Sequence, residues 1–395
     1  MTLRLRKTIE KIASKAKKSS FELALVNDEQ RNKALVLAAK RLLKNKEKIL
    51  LENEKDVKLA KNKNLNPALI DRLMLDEKRI DSMCNGMISI SKLKNPVGLK
   101  ISNWKRPNGL EIEKVSVPLG VIGVIYESRP NVAADAASLC LKSCNATILR
   151  GGSESFFSSS IITDIIKKSF LNSGLPEGIL QNIPTKDRDA VGYLLKMDEY
   201  VDVIVPRGGR SLIERVIKES RIHVIRHLDG ICHTYVHKNS DPKIAEEVLI
   251  NAKMRRTGIC GATETLLIDK EVIHSHLPII ISKLRKHGCE IRGDKYVKRV
   301  DSSIKLATDQ DWKTEYLDAI ISIKTITNGV IEAIDHVNTY GSNHTDAIIS
   351  DDKKAVELFL NKVDSGIVMH NTSTQFADGA EFGMGAEIGI STSKL

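Results

Sequence analysis

Along the first 95 residues apolar side chains recur every three or four positions, the spacing that lays one stripe along a helix. ALVLAAKRLLK (34–44) and PALIDRLMLDEKRIDSMCNGMISI (67–90) show it, and MTLRLRKTIEKIASKAKK (1–18) reads as a basic surface helix. The period then changes. LEIEKVSVPLGVIGVIYES (110–128) alternates and is rich in Val and Ile, which predicts strands. From there the two patterns take turns. ATILR (146–150) precedes the helical SSSIITDIIKKSFLNSG (158–174), and YVDVIVP (200–206) precedes RSLIERVIKES (210–220). RIHVIRH, ICHTYV, ETLLID, LDAIISIK and DAIISD follow as strands, separated by helical stretches such as DPKIAEEVLINAKM and NGVIEAIDHVNTYG. Alternation of this kind predicts an α/β fold with largely parallel sheets covered by helices and ligands at the carboxyl ends of strands.

Length and composition narrow the class. The 395 residues suffice for two or three domains, and 42% apolar with 28% charged residues is a soluble, globular profile. The longest apolar runs fall well short of the roughly 20 residues that span a bilayer. The N-terminus lacks an apolar block with a small-residue cleavage site, so no signal peptide is expected. The net charge of +11 admits a nucleic-acid binder or an enzyme that attracts anions. Its lysines lie scattered along helical stretches without interleaved aromatics, which favours a solvated surface over a base-stacking one. Cys84, Cys140, Cys144, Cys232, Cys260 and Cys289 form no CxxC pair, which points to a reducing, cytoplasmic setting. Cys140 and Cys144 would share a helix face, as apolar fillers and not as metal ligands.

Two segments carry candidate chemistry. In NAKMRRTGICGATETLLID (251–269) Cys260 lies after a helix and before a strand, with Gly258 and Gly261 allowing tight turns and close substrate approach. Arg255 and Arg256, just upstream, would favour the thiolate, the reactive form. On Cys260 alone, a buried structural cysteine is an equal alternative. In IYESRPNVAADAASLCLKSCNATILRGGSES (125–155) a strand ends at Glu127, Pro130 forces an extended turn, and Asn131 stands at a helix start. Asn131 is either a cap or a fixed amide donor for an oxyanion.

With VPRGGRSLI (205–213), HLDGICHTYV (227–236) and EFGMGAEIGISTSKL (381–395), these blocks resemble the aldehyde dehydrogenase superfamily over nearly the whole chain, and within it the gamma-glutamyl phosphate reductases. The resemblance implies a nucleotide-binding α/β domain (1–98 and 121–226), a hairpin for subunit contact (99–120), a catalytic cysteine domain (227–370) and a shortened C-terminal return segment (371–395). It implies NADPH-dependent reduction of L-glutamyl 5-phosphate to L-glutamate 5-semialdehyde in proline biosynthesis. Cys260 would expel phosphate and form a thioester that accepts hydride. The Asn131 amide and the Cys260 backbone N–H would hold the oxyanion.

Members that hydrolyse their thioester carry a glutamate base in a Glu-Leu-Gly-Gly block. Here the matching block is His227-Leu228-Asp229-Gly230, 33 residues before Cys260, and loss of the glutamate favours reduction over aldehyde oxidation. For the cofactor the resemblance points to Arg150, Gly151, Gly152 and Ser153, where Ser153 replaces the acidic residue of many NAD-preferring members. Glu154 would weaken that argument if it turned inward. Glu315 matches the glutamate that holds the nicotinamide ribose. Gly208, Gly209 and Ser211 open a helix suited to an anion, flanked by Arg207 and Arg210. Arg207, Arg210, Arg255 and Arg256, and by charge Arg129, are the substrate-binding candidates. GMGAEIG (383–389) imitates a dinucleotide fingerprint but lacks the strand before it and the βαβ unit after it.

The resemblance further implies a homo-oligomer, with the upstream glutamate kinase as a candidate partner and neither nucleic acid nor membrane. Two other readings stay open at this point: an oxidative aldehyde dehydrogenase acting on a small aldehyde, and a non-catalytic protein that keeps the fold.

Overall fold

The computed structural model describes residues 2–226 and 229–392, and the chain divides into two compact units, Met1–Arg226 and His227–Leu395.

The first unit begins with α1 (Thr2–Leu23), α2 (Asp28–Lys44), α3 (Lys46–Asn62), α4 (Pro67–Leu73) and α5 (Glu77–Ser91). Their boundaries follow local chemistry. Asn27 and Asp76 cap α2 and α5 by accepting from the amides of Gln30 and Arg79. The surface reading of α1 holds for one face only. Its Ile9, Ala13 and Ala16 are fully buried against Ile125, Ala146 and Ile148 of the sheet that follows. Next come β1 (Lys100–Lys105) and β2 (Glu111–Val115), an antiparallel hairpin with little burial along either strand.

The rest of this unit alternates: β3 (Val121–Tyr126), α6 (Val132–Lys142), β4 (Ala146–Gly151), α7 (Phe156–Asn172), β5 (Leu180–Asn182), α8 (Asp189–Leu194), β6 (Val203–Arg207), α9 (Arg210–Glu219) and β7 (His223–Val224). The strands pair in parallel in the order β5-β4-β3-β6-β7. A β3 buried at every position explains its unbroken apolar run, as expected for a parallel strand covered on both faces. After β3 the chain moves to β4, and after β6 it moves the opposite way to β7. The β3/β6 boundary is therefore a topological switch point, where ligands of open α/β sheets bind. Cys144 departs from expectation. The helix α6 ends at Lys142, and Cys144 lies beyond it at φ 63° with its thiol donating to the Leu23 carbonyl at 3.2 Å, so Cys140 and Cys144 share no helix face.

The second unit runs β8 (Cys232–Val236), α10 (Pro242–Met254), β9 (Thr263–Asp269), α11 (Ile273–Lys286), β10 (Glu290–Gly293), α12 (Lys295–Val300), β11 (Lys305–Leu306), β12 (Ile320–Ile326), α13 (Gly329–Tyr340), β13 (Thr345–Ile349), α14 (Lys353–Lys362) and β14 (Ile367–His370). Its seven strands are parallel, in the order β11-β10-β12-β9-β8-β13-β14. The central β8 and β9 are buried throughout. Helix α10 starts on an Asp241 cap with Pro242 in its first turn, where a missing amide hydrogen costs nothing. It delivers the chain to the loop that carries Cys260, just before β9.

Among the described residues no helix is long and apolar enough to cross a membrane, and no His, Cys, Asp or Glu cluster could hold a metal ion.

Candidate active site

Cys260 is half-buried, whereas the other five cysteines are buried. Burial pushes the thiols of Cys84, Cys140 and Cys289 up to about 11, and that of Cys232 well above its ordinary value. Those four are protonated and inert at neutral pH.

The backbone around Cys260 is braced from several sides. The Cys232 thiol at the start of β8 donates to the Cys260 carbonyl at 3.1 Å. Gly230 lies so close that a Cβ there would fall 2.1 Å from the Cys260 carbonyl oxygen and 2.5 Å from its Cα. From the short 3-10 turn Thr374–Phe376, Thr374 Oγ1 donates to the Gly261 carbonyl at 2.7 Å. The Gln375 amide donates to the carbonyls of Ala252 at 2.8 Å and Arg256 at 3.2 Å. Gly261 is needed for this close approach, since its Cβ would meet the Thr374 carbonyl at 3.2 Å. At Gly258 the surroundings are open: a Cβ there would meet nothing nearer than the Leu317 carbonyl at 3.7 Å. Neither glycine has a positive φ.

Arg255 and Arg256 are both exposed. Arg255 pairs with Glu381 at 3.0 Å and packs on the Phe376 ring. Below the loop lie two groups that the sequence reading missed. Lys253, at the end of α10, contacts Glu264 in β9 at 2.5 Å, and neither side chain is exposed. Glu264 also accepts from the Leu317 amide at 3.4 Å, next to Glu315, whose own carboxylate accepts from Gly230 N at 2.9 Å. Burial raises Glu315 above the usual carboxylate range, against the opposing Gly230 hydrogen bond.

In the first unit Asn131 stands at the start of α6 but makes no side-chain cap. Its Nδ2 donates instead to Asp135 Oδ2 at 2.9 Å. A primary amide has two N–H bonds, so one remains for another acceptor. At the β3/β6 switch point, Glu127 Oε2 accepts from the Gly209 amide at 2.8 Å. Gly208 permits this, because a Cβ there would lie 2.5 Å from the same oxygen. Arg210 pairs with Glu214 at 2.8 Å, and the half-exposed Arg207 ends β6.

A cavity of about 270 Å³ opens at the carboxyl ends of β3 and β4. Gly152, Ser153 and Ser211, cofactor candidates from the sequence, line it, and so do Arg188 and Arg215, which that reading passed over. Arg150 and Glu154, both weighed for the cofactor above, line it too. Arg150 is buried, and its guanidinium donates to the carbonyls of Gly151, Lys186 and Asp187. Glu154 does line the cavity, with Oε1 accepting from the Ser153 hydroxyl at 3.0 Å. At Gly151 an added Cβ would meet the Tyr126 ring at 3.1 Å. His227 lies outside the described residues.

Residues 3–294 match the family model described as the aldehyde dehydrogenase family. The chain belongs to the aldehyde dehydrogenase family. Two curated relatives, both gamma-glutamyl phosphate reductases, place it more narrowly. That of Paramagnetospirillum magneticum is 53% identical over 97% of this chain and 90% of its own length. That of Brucella suis is 50% identical over 100% of this chain and 94% of its own. The crystal structure of the Thermotoga maritima gamma-glutamyl phosphate reductase superposes with a TM-score of 0.94 at 38% identity, covering 98% of this chain and 93% of that one. Within the aldehyde dehydrogenase family the chain thus groups with the gamma-glutamyl phosphate reductases. Its fold is that family's, and the fold implies a nicotinamide cofactor. Thr374 and Gln375 carry no motif signal, since they act on the Cys260 loop from another element. Cys232 alone had a visible clue, a cysteine within the block HLDGICHTYV.

Proposed function

We propose that this protein reduces L-glutamyl 5-phosphate to L-glutamate 5-semialdehyde and phosphate with NADPH, through a thioester on Cys260. The observation that carries this reading is the setting of Cys260. Its sulfur belongs to a half-buried residue, while its backbone is held by Cys232, by the close approach of Gly230 and by the Thr374 contact to Gly261. A fixed backbone beneath a half-buried cysteine suits a nucleophile better than an apolar filler.

In the proposed reaction the Cys260 thiolate attacks the acyl carbon, a C–S bond forms, and the bond from acyl carbon to phosphate oxygen breaks with phosphate leaving. The Cys260 N–H and the spare N–H of Asn131 are the proposed donors to the oxyanion, and Asp135 holds the Asn131 amide in orientation. When bound, the nicotinamide supplies the hydride that releases the aldehyde. Its adenosine half fits the cavity beside β3 and β4. Ile125, Val191 and Leu212 offer an apolar wall, and Gly152 and Ser153 line the same cavity. Glu315 is the proposed acceptor for the nicotinamide ribose. Arg207 and Arg129 remain the proposed contacts for the substrate's anionic groups, ahead of Arg210 and Arg255, which already pair with carboxylates. The hairpin β1–β2 supports a homo-oligomer, because Ile101, Trp104, Leu110 and Val115 on and beside it are exposed.

The test is the reverse reaction of the purified protein with glutamate 5-semialdehyde, phosphate and NADP. Phosphate-dependent NADPH formation that Cys260→Ala abolishes is the expected result. Turnover that ignores phosphate would instead identify an oxidative aldehyde dehydrogenase.

A further inference from the structure

Three guanidinium groups reach the cavity beside β3 and β4, and the structure uses them differently. Arg150 is committed to the fold. It is buried, and its Nη2 donates to the carbonyls of Lys186 at 3.4 Å and Asp187 at 3.1 Å, tying the end of β4 to the loop before α8. Arg215 on α9 is half-buried and paired with Glu219 of its own helix at 2.9 Å, and its Nη1 donates to the Arg188 carbonyl at 3.4 Å. Arg188, the residue before α8, is exposed, and its guanidinium makes no ion pair with any described carboxylate. Burial pulls the Arg150 guanidinium below its ordinary value; Glu154 opposes this, and the cations of Arg188 and Arg215 act with it. The positive charge thus converges on one rim.

We propose that Arg188, with its backbone steadied by Arg215, recognises a phosphomonoester dianion on the adenosine ribose, the 2′-phosphate that distinguishes NADPH from NADH. Arg150 then acts as a structural clamp and not as the phosphate ligand. This rests on the reading that the cofactor's adenosine half binds in this cavity. A planar fork that makes no ion pair with a described carboxylate matches a phosphate, and the apolar Ile125, Val191 and Leu212 wall matches the adenine beside it. The opposing feature is Glu154. Its carboxylate lines the same cavity and would accept from a free 2′,3′-diol. Ser153, however, donates to it at 3.0 Å and satisfies part of that capacity.

Calorimetric titration of the full chain with adenosine 2′,5′-bisphosphate and with 5′-AMP separates the possibilities. Wild type is expected to bind the bisphosphate more tightly. Arg188→Gln should weaken the bisphosphate by roughly tenfold to a hundredfold and leave 5′-AMP unchanged, which also shows that the cavity is intact. Arg215→Met should weaken the bisphosphate less. Equal weakening of both ligands in Arg188→Gln, or no weakening, would overturn the assignment of Arg188. Wild-type preference for 5′-AMP, or no preference, would overturn the NADPH reading itself and the inference with it.

Discussion

Glu127 Oε2 accepts a hydrogen bond from the Gly209 amide at 2.8 Å, so a carboxylate of the chain itself sits at the N-terminus of α9. That helix end carries partial positive charge and unpaired amides, which is what an incoming phosphate also needs. Glu127 therefore competes with any anion that binds there. Glu127→Gln keeps an oxygen acceptor for the Gly209 amide and removes the charge. Affinity for ADP should rise by roughly twofold to fivefold, the worth of one charge at a helix end. The measurement is a titration at low salt. A fall in affinity would show that the carboxylate shapes the turn and does not block it.

The buried pair Lys253–Glu264 makes stability depend on pH in an unusual direction. Burial raises Glu264 from 4.5 to about 7, more than the Lys253 contact lowers it. The folded state then holds its proton over a window, between about 4.5 and about 7, in which the unfolded chain has released it. Stability from this group is present below the window and is lost as pH rises through it. Thermal melting midpoints of wild type and Glu264→Gln, followed from pH 4.5 to 8, should converge or cross as the wild type loses this contribution. Parallel curves would refute the shift. Lys253→Met leaves the carboxylate buried without its cation, and should cost about 3 kcal/mol or more at pH 8.

Much of this arrangement was open to sequence reading, and the reason is local. The strands β3, β4, β6, β8 and β9 are short apolar runs bounded by turn residues, so period and composition found them. Cys260, Asn131 and the Gly208–Gly209 turn lie at strand–helix junctions, where a motif is contiguous in the chain. What stayed hidden depends on distant pairing. Arg150 looked like a ligand residue because nothing in ATILRGG reveals that the carbonyls of residues 186 and 187 would receive its guanidinium. Arg188, before α8, and Arg215, on α9, lie 27 residues apart and meet only in the fold. The thiol of Cys232 finds the Cys260 carbonyl through the parallel β8–β9 pairing, which no spacing rule encodes.

The contact between Gly230 and Cys260 gives a sharper test of the proposed nucleophile's seating. A methyl group at residue 230 would strike the Cys260 backbone at 2.1 to 2.5 Å, and backbone cannot swing aside as a side-chain tip can. Gly230→Ala should therefore displace the nucleophile while the buried strands of the second unit remain folded. Displacement on the ångström scale costs catalysis about a hundredfold. The expected result is a fall of that order in kcat with an unchanged circular dichroism spectrum and melting midpoint. Full activity would mean that the loop relaxes without moving the sulfur.

Asn131 and Asp135 divide the proposed oxyanion role into a donor and its support. Asn131→Ala removes the donor outright and should lower kcat by about a hundredfold to a thousandfold, with little change in KM. Asp135 is different, because it touches the reaction only through the 2.9 Å hydrogen bond from the Asn131 amide. Burial raises its pKa, and the Asn131 hydrogen bond and the Arg207 cation act against that rise. Asp135→Asn keeps size and one acceptor but loses the charge, so the Asn131 amide is held less firmly. Its kcat should fall by about tenfold, and the loss should not add to that of Asn131→Ala in the double variant. Steady-state kinetics on the four proteins decide it. Additive losses would mean that Asp135 acts on something other than the amide it binds.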